Sequence, residues 1–325
     1  MNDVRPIFLV GSARSGTTLL SVMLHAHPRI AMPPETRFLI PCYRNRANFG
    51  DLTVAANRRR LARRMTRPRS RFRDLGLDRR AVVQHIVNGP PTLGSAAGTV
   101  WRDFAHSRGK VRWGEKRPAY WQDMDVILRL FPDAQIIHLV RDGRACIASL
   151  KQVHWYGGSV IKAATTWSLA ERELTRLGRK LPAGSYHRLR YEDLLADPAD
   201  ELGRLCSFLG EDFDEGMLAF NQAAGDIVPD RKTWHNRTKG DIDPARIEAW
   251  RTSLTPDEIG MLEGMIGRDL EARGYRRSGI GPKPSRSDVL TYHRWRAGRI
   301  LDMNMRRWRD ARQRREEKVP LADLG

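Results

Sequence analysis

The chain has 325 residues, 41% of them hydrophobic, which is enough for one α/β domain with appendages or for two small domains. Its formal net charge of +19 is concentrated: residues 44–80 hold 13 Arg and Lys against 3 Asp and Glu, and residues 283–318 hold 12 against 5. Charge placed this way favours a basic rim facing anionic ligands or surfaces over a uniformly basic nucleic-acid binder, and no run approaches the ~20 apolar residues of a membrane span. The three cysteines, Cys42, Cys146 and Cys206, have no metal-ligand spacing and read as reduced thiols of a cytosolic enzyme.

Pro6–Val10 is a short β-branched and aromatic run without a basic leader, so it reads as a strand and not as a signal peptide. Gly16 to His25 has helical periodicity. Residues 44–110 carry Arg-rich helical stretches broken by Gly89-Pro90-Pro91 and Gly94, the pattern of an inserted helical subdomain. Ala134–Val140 is a second buried strand, followed by a polar turn and a helix over Arg144–Leu150. Ser185–Arg190 is a weaker third strand, and Tyr191-Glu192-Asp193 opens another helix. Strands alternating with helices predict an α/β fold with a central parallel sheet flanked by helices. Gly279–Pro284 looks like a linker, which closes a domain over residues 1–280. Beyond it, Asp288–Lys318 is basic and helix-compatible, with Trp295 and Trp308 among its arginines, and residues 281–325 form a helical C-terminal extension.

Between the first strand and the first helix lies Gly11-Ser12-Ala13-Arg14-Ser15-Gly16-Thr17-Thr18. Two glycines separated by four residues let a backbone wrap an anion, and the N–H groups at the helix start hold its oxygens. This is the P-loop frame, but Thr17 stands where a Walker loop carries the lysine that neutralises the β- and γ-phosphates, which counts against NTP hydrolysis. Arg14 supplies a cation elsewhere in the loop. A second strand-to-helix junction, Val140-Arg141-Asp142-Gly143-Arg144, places Ser149 about two helical turns after Arg141. A guanidinium fork with a hydroxyl holds a phosphate. Two anion sites at strand ends suit a nucleotide with phosphates at both ends of its ribose.

With these segments together, the chain resembles the sulfotransferases that use 3′-phosphoadenosine-5′-phosphosulfate (PAPS). The matching residues are Ala13–Thr18, Val140–Arg144 with Ser149, and Tyr191-Glu192-Asp193-Leu194, spread in family order over roughly residues 5–275. The stretch Arg14–Arg37 is most similar to tyrosylprotein sulfotransferases and their bacterial relatives, through Leu24-His25-Ala26-His27-Pro28 and Glu35-Thr36-Arg37. The resemblance implies that Ser15, Gly16, Thr17 and Thr18 bind the 5′-phosphosulfate end, with Arg14 also among the cofactor-binding residues, and that Arg141 and Ser149 bind the 3′-phosphate with Tyr191 near the nucleotide. Lys239 resembles the late basic residue of the cofactor pocket. Gly114-Glu115-Lys116 followed by Pro118 resembles the segment of a catalytic lysine, with Arg117 where bacterial relatives carry a small hydroxyl residue.

Sulfuryl transfer builds charge on the bridging oxygen of the leaving phosphate, which Arg14 and Lys116 are suited to stabilise. Glu35 is the candidate general base, with Arg37 orienting it or the acceptor. The bland alternative for Glu35 is a carboxylate in the first turn of a helix opened by Pro33-Pro34. His106 is an alternative base, His25 and His27 read as packing residues, and Trp101, Trp113, Trp121 and Trp167 as core or cleft wall. No metal is called for. The expected partners are PAPS and a hydroxyl-bearing carbohydrate, lipid, natural-product or peptide-tyrosine acceptor, and no specific nucleic acid. An anionic membrane surface is a candidate partner of the C-terminal extension, so the expected location is the cytoplasm or the inner membrane face. The competing classes are a P-loop kinase or NTPase and a basic nucleic-acid- or membrane-binding module.

Overall fold

The structure, a computed structural model, describes residues 4–153, 156–228 and 243–314. In chain order it runs β1 (Ile7–Gly11), α1 (Thr17–Ala26), β2 (Ile30–Ala31), α2 (Leu39–Arg44), α3 (Ala55–Met65), α4 (Arg79–Asn88), α5 (Leu93–His106), β3 (Arg112–Lys116) and α6 (Met124–Leu130). It continues with β4 (Gln135–Val140), α7 (Gly143–Lys151), α8 (Val160–Gly178), β5 (Tyr186–Arg190), α9 (Tyr191–Ala196), α10 (Pro198–Leu209), α11 (Ala224–Ile227), α12 (Trp250–Ser253), α13 (Pro256–Glu271) and α14 (Arg286–Arg314). The five strands form one parallel sheet in the order β2-β3-β1-β4-β5. The expected α/β class with a central parallel sheet, flanking helices and a helical C-terminal region is what the chain adopts.

The central strands β1 and β4 are buried along their whole length, as parallel strands covered on both faces must be. The larger apolar cluster joins the sheet to α1, α5 and α10, and its aromatic centre is Trp101 packed among Phe8, Phe38, Trp113 and Phe131. Helices α7, α8 and α13 build a second cluster around Trp167 and Trp250. The Arg-rich segment 44–110 is helical as expected, and the buried faces of α3, α4 and α5 belong to the same apolar cluster as the sheet.

Two strands escaped the sequence reading. β2 has two residues, and β3, Arg112-Trp113-Gly114-Glu115-Lys116, is mostly polar yet buried throughout. Its polar groups are satisfied inside. Arg112 donates to Gln135, to the Leu209 carbonyl at 2.7 Å and to Glu211 at 3.0 Å. Among the described residues no helix is long and apolar enough to cross a membrane.

Candidate active site

In a parallel sheet all strand C-termini lie along one edge, where ligands of open α/β folds bind. Here every strand leads into a segment that lines one cavity of about 690 Å³: β1 into the turn to α1, β2 into Glu35 and Arg37, β3 into Arg117, β4 into Arg141, and β5 into Tyr191. Among the described residues the cavity wall carries seven Arg or Lys side chains against the two carboxylates of Glu35 and Asp243. That excess suits an anionic ligand.

The turn from β1 to α1 depends on its glycines. Gly16 has φ +99°, and a Cβ there would stand 2.3 Å from Cδ2 of Tyr191. A Cβ on Gly11 would stand 2.5 Å from the Leu139 carbonyl oxygen. No side chain caps the start of α1, so its first-turn N–H groups are left for an anion at the positive end of the helix. Thr17 and Thr18 line the cavity. Ser15 does not: it is fully buried under the turn, its amide donates to the Ser12 carbonyl at 3.2 Å, and its hydroxyl has no hydrogen-bond partner among the described residues.

Arg141 emerges from the end of β4 with its guanidinium 4.2 Å from the Tyr191 ring centroid. It donates to the carbonyls of Arg14, at 3.2 Å, and Arg246, at 3.4 Å, while its buried Nε has no partner among the described residues. Ser149 accepts from Nε of Arg14 at 3.0 Å. The sequence nominated Arg14 for the leaving-group charge and Ser149 for a second phosphate, and the structure bonds the two side chains to each other. The reason is local: Arg14 has φ +69°, and this left-handed turn lets its side chain reach α7. The helix itself starts on Asp142, whose side chain caps the Arg144 amide.

The side chains that the sequence nominated for the chemistry meet where β3 ends. Lys116 Nζ is 3.8 Å from Glu35 Oε2 and donates to Thr18 Oγ1 at 3.3 Å. Arg117 Nε lies 4.0 Å from Glu35 Oε1. Glu35 is not in a helix. It sits in the irregular segment between β2 and α2, which starts only at Leu39. What holds that segment is Glu115. This carboxyl is completely buried, and its Oε1 accepts from the amide of Thr36 at 3.3 Å, from Thr36 Oγ1 at 3.0 Å and from the Tyr120 hydroxyl at 3.4 Å. Burial pushes the Glu115 carboxyl up to about 8, against the hydrogen bonds from Thr36 and helped by the charge of Glu35. Glu115, the residue before Lys116, thus ties down Thr36, the residue after Glu35.

The remaining sequence-selected residues separate cleanly. Arg37 lines the cavity, as do Trp121 and Gln122. Trp101, Trp113 and Trp167 are core. His106 is exposed at the end of α5 and does not line the cavity. His25 and His27 are buried packing residues, the first accepting from the Met32 amide at 3.2 Å and the second meeting the Asp212 carbonyl at 2.9 Å. Lys239 lies outside the described residues. Among the described residues no group of three or more His, Cys, Asp or Glu is placed to hold a metal ion.

A family model described as the sulfotransferase family matches residues 6–215. The chain belongs to the sulfotransferase family. It is an enzyme that moves a sulfuryl group to a hydroxyl acceptor, and the kinase or NTPase reading is not favoured. Nodulation protein NoeE of Sinorhizobium fredii (strain NBRC 101917 / NGR234) is 27% identical over 312 residues, covering 85% of this chain and 68% of its own. Protein-tyrosine sulfotransferase A of Caenorhabditis elegans is 24% identical over 292 residues, covering 87% and 70%. Among solved structures, the sulfotransferase domain from the Synechococcus PCC 7002 olefin synthase aligns with a TM-score of 0.54 at 29% identity, over 79% of this chain and 90% of that one.

Sequence reasoning about this sulfotransferase missed Glu115 as a buried anchor, Arg71 and Arg246 on the cavity wall, and Asp243. A carboxylate beside a lysine reads as an ordinary charged pair. Only the three donors converging on Glu115 give it away.

Proposed function

We propose that this sulfotransferase takes its sulfuryl group from PAPS. Thr17, Thr18 and the uncapped start of α1 hold the 5′-phosphosulfate, Arg141, Ser149 and Arg14 hold the 3′-phosphate, and Tyr191 borders the nucleotide. Gly16 keeps the turn open against the Tyr191 ring, and Ser15 supports the turn from beneath. Glu35 takes the proton of the acceptor hydroxyl, whose oxygen attacks sulfur in line. The bond from sulfur to the bridging phosphate oxygen breaks, and Lys116 stabilises the charge left on that oxygen. The observation that carries this reading is the meeting of Lys116 Nζ with both Glu35, at 3.8 Å, and Thr18, at 3.3 Å: base, leaving-group cation and phosphate turn converge on one point.

The acceptor is a hydroxyl of a carbohydrate, lipid, natural product or peptide tyrosine. Arg37, Arg71 and Arg117 share the cavity wall with Glu35, which favours acceptors that carry anionic groups near the reacting hydroxyl. Three buried free thiols fit work in a reducing compartment such as the cytoplasm. The test is incubation with sulfur-labelled PAPS and a panel of acceptors from these classes. Label should appear in a sulfate ester with the wild type and fall to background with Glu35→Gln. Transfer unaffected by that change would remove Glu35 from the chemistry, and transfer from a donor lacking the 3′-phosphate as readily as from PAPS would remove the nucleotide assignment.

A further inference from the structure

Helix α14, Arg286–Arg314, has two unlike faces. Its inner face is fastened to the body by polar contacts. Tyr292, buried, donates to Ser168 Oγ at 3.3 Å, Arg299 donates to Gln122 at 3.1 Å, and Arg307 donates to Glu173 at 2.9 Å. Asp310 pairs with Arg46 at 3.0 Å and with Arg129 at 3.1 Å. The outer face carries one continuous stripe at helical spacing, in which Leu290 is 60% exposed, Leu301 59%, Met305 42% and Trp308 62%, with exposed Arg294 and Arg312 in the same line. From residue 290 to residue 312 that stripe runs about 33 Å.

The acidic residues of the described helix avoid this stripe. Asp288 is bonded to Ser285 at 2.6 Å, Asp302, its side chain 40% exposed, is paired with Arg306 at 2.5 Å, and Asp310 is paired with the body. The outer stripe therefore presents large apolar side chains and cations with no carboxylate between them. Such a surface has one well-matched occupant. A nucleic acid rewards the arginines but gains nothing from Leu290, Leu301 and Met305. A second copy of the helix would set Arg294 and Arg312 against like charges with no acid in the stripe to answer them. An anionic bilayer accepts both components, acyl chains for the apolar side chains and headgroup phosphates for the guanidinium groups.

We propose that the outer stripe of α14 is a docking surface for an anionic lipid bilayer, along which the helix lies in the plane of the interface. The inner face stays bonded to the body, so docking needs no unfolding. Gln122, which accepts from Arg299, also lines the catalytic cavity, and the docked helix is thus bonded directly to the wall of the site.

Co-sedimentation of the full chain with vesicles tests this. Vesicles containing about one-third phosphatidylserine should bind the protein, pure phosphatidylcholine vesicles should bind it at least about tenfold more weakly, and binding should fall severalfold between about 0.1 M and about 0.5 M salt. The double variant Leu301→Ser/Trp308→Ser should lose at least about tenfold in partitioning, because two large side chains no longer leave water. Its thermal unfolding should match the wild type, since both side chains are solvent-exposed in the free protein. Absence of binding to anionic vesicles at low salt, or binding that the double variant retains, overturns the proposal. So does a concentration-dependent dimer in light scattering that the double variant abolishes, which would make the stripe an interface between copies. Single-stranded RNA bound more tightly than the vesicles and equally by both proteins would assign the surface to nucleic acid instead.

Discussion

Replacing Glu115 with Gln separates the anchor from its charge. The carboxyl is fully buried with Oε1 receiving three donors, and burial raises it from 4.5 to about 8. Below about 4.5 the folded and unfolded chains both hold this proton. As pH rises further the unfolded chain releases it while the fold retains it until about 8, so the stability Glu115 contributes is complete in acid and is lost across that window. At about 1.4 kcal/mol for each tenfold change in the proton equilibrium, the loss amounts to roughly 5 kcal/mol between the two ends. Glutamine keeps the accepting oxygen and cannot ionise. Urea unfolding of both proteins from pH 5 to pH 8 (the window set by about 4.5 and about 8) should therefore show the variant gaining on the wild type by about 1 kcal/mol or more per pH unit. A constant difference across that range would mean that Glu115 is ionised in the fold, and the account of its burial would be wrong. At neutral pH the Gln variant should keep most of its kcat, whereas Glu115→Ala should lose it by about tenfold or more with nucleotide affinity unchanged, because only the segment bearing Glu35 is released.

Gly16→Ala sets a Cβ 2.3 Å from the Tyr191 ring at φ +99°, and should cost roughly 1–3 kcal/mol in urea unfolding together with at least about tenfold in calorimetric affinity for 3′-phosphoadenosine-5′-phosphate. Glu35→Gln should lower kcat by about 10²–10⁴ while that affinity changes less than about threefold; a parallel loss of both would make Glu35 a binding residue. His25 is held down to about 4, chiefly by burial. Below 6.5 the unfolded chain takes up a proton that the fold refuses until about 4, so His25 costs stability as pH falls through that window. His25→Gln should accordingly flatten the acid limb of a thermal unfolding profile, and an unchanged limb would show that His25 is charged in the fold.

Where sequence and structure agree, the signal was periodic apolar burial followed by a turn. β1 and β4 are apolar runs interrupted in β4 by Gln135, which donates to the Phe208 carbonyl at 2.7 Å, and by His138, which is satisfied inside by Tyr186 at 2.6 Å and Glu171 at 3.4 Å. The junction into α7 was readable because Asp142 caps it in the ordinary way. β3 was not readable, because its burial rests on tertiary partners such as Glu211 and Gln135, which lie far along the chain. The same holds for Arg14. Its residue type pointed to an anion, but its contact with Ser149 depends on a left-handed backbone and on a serine 135 positions away. Glu35 and Lys116 were chosen separately by motif, and their proximity follows from the parallel β2–β3 pairing together with the Glu115 anchor.

The central claim is that one cavity clamps a nucleotide by phosphates at both ends of its ribose. Calorimetry with 3′-phosphoadenosine-5′-phosphate and with adenosine 5′-monophosphate, on the wild type and on Arg141→Ala, tests it most directly. The wild type should prefer the doubly phosphorylated nucleotide by about a hundredfold, and the preference should shrink to a fewfold when Arg141 is removed. Equal affinity of the wild type for both nucleotides would contradict the account.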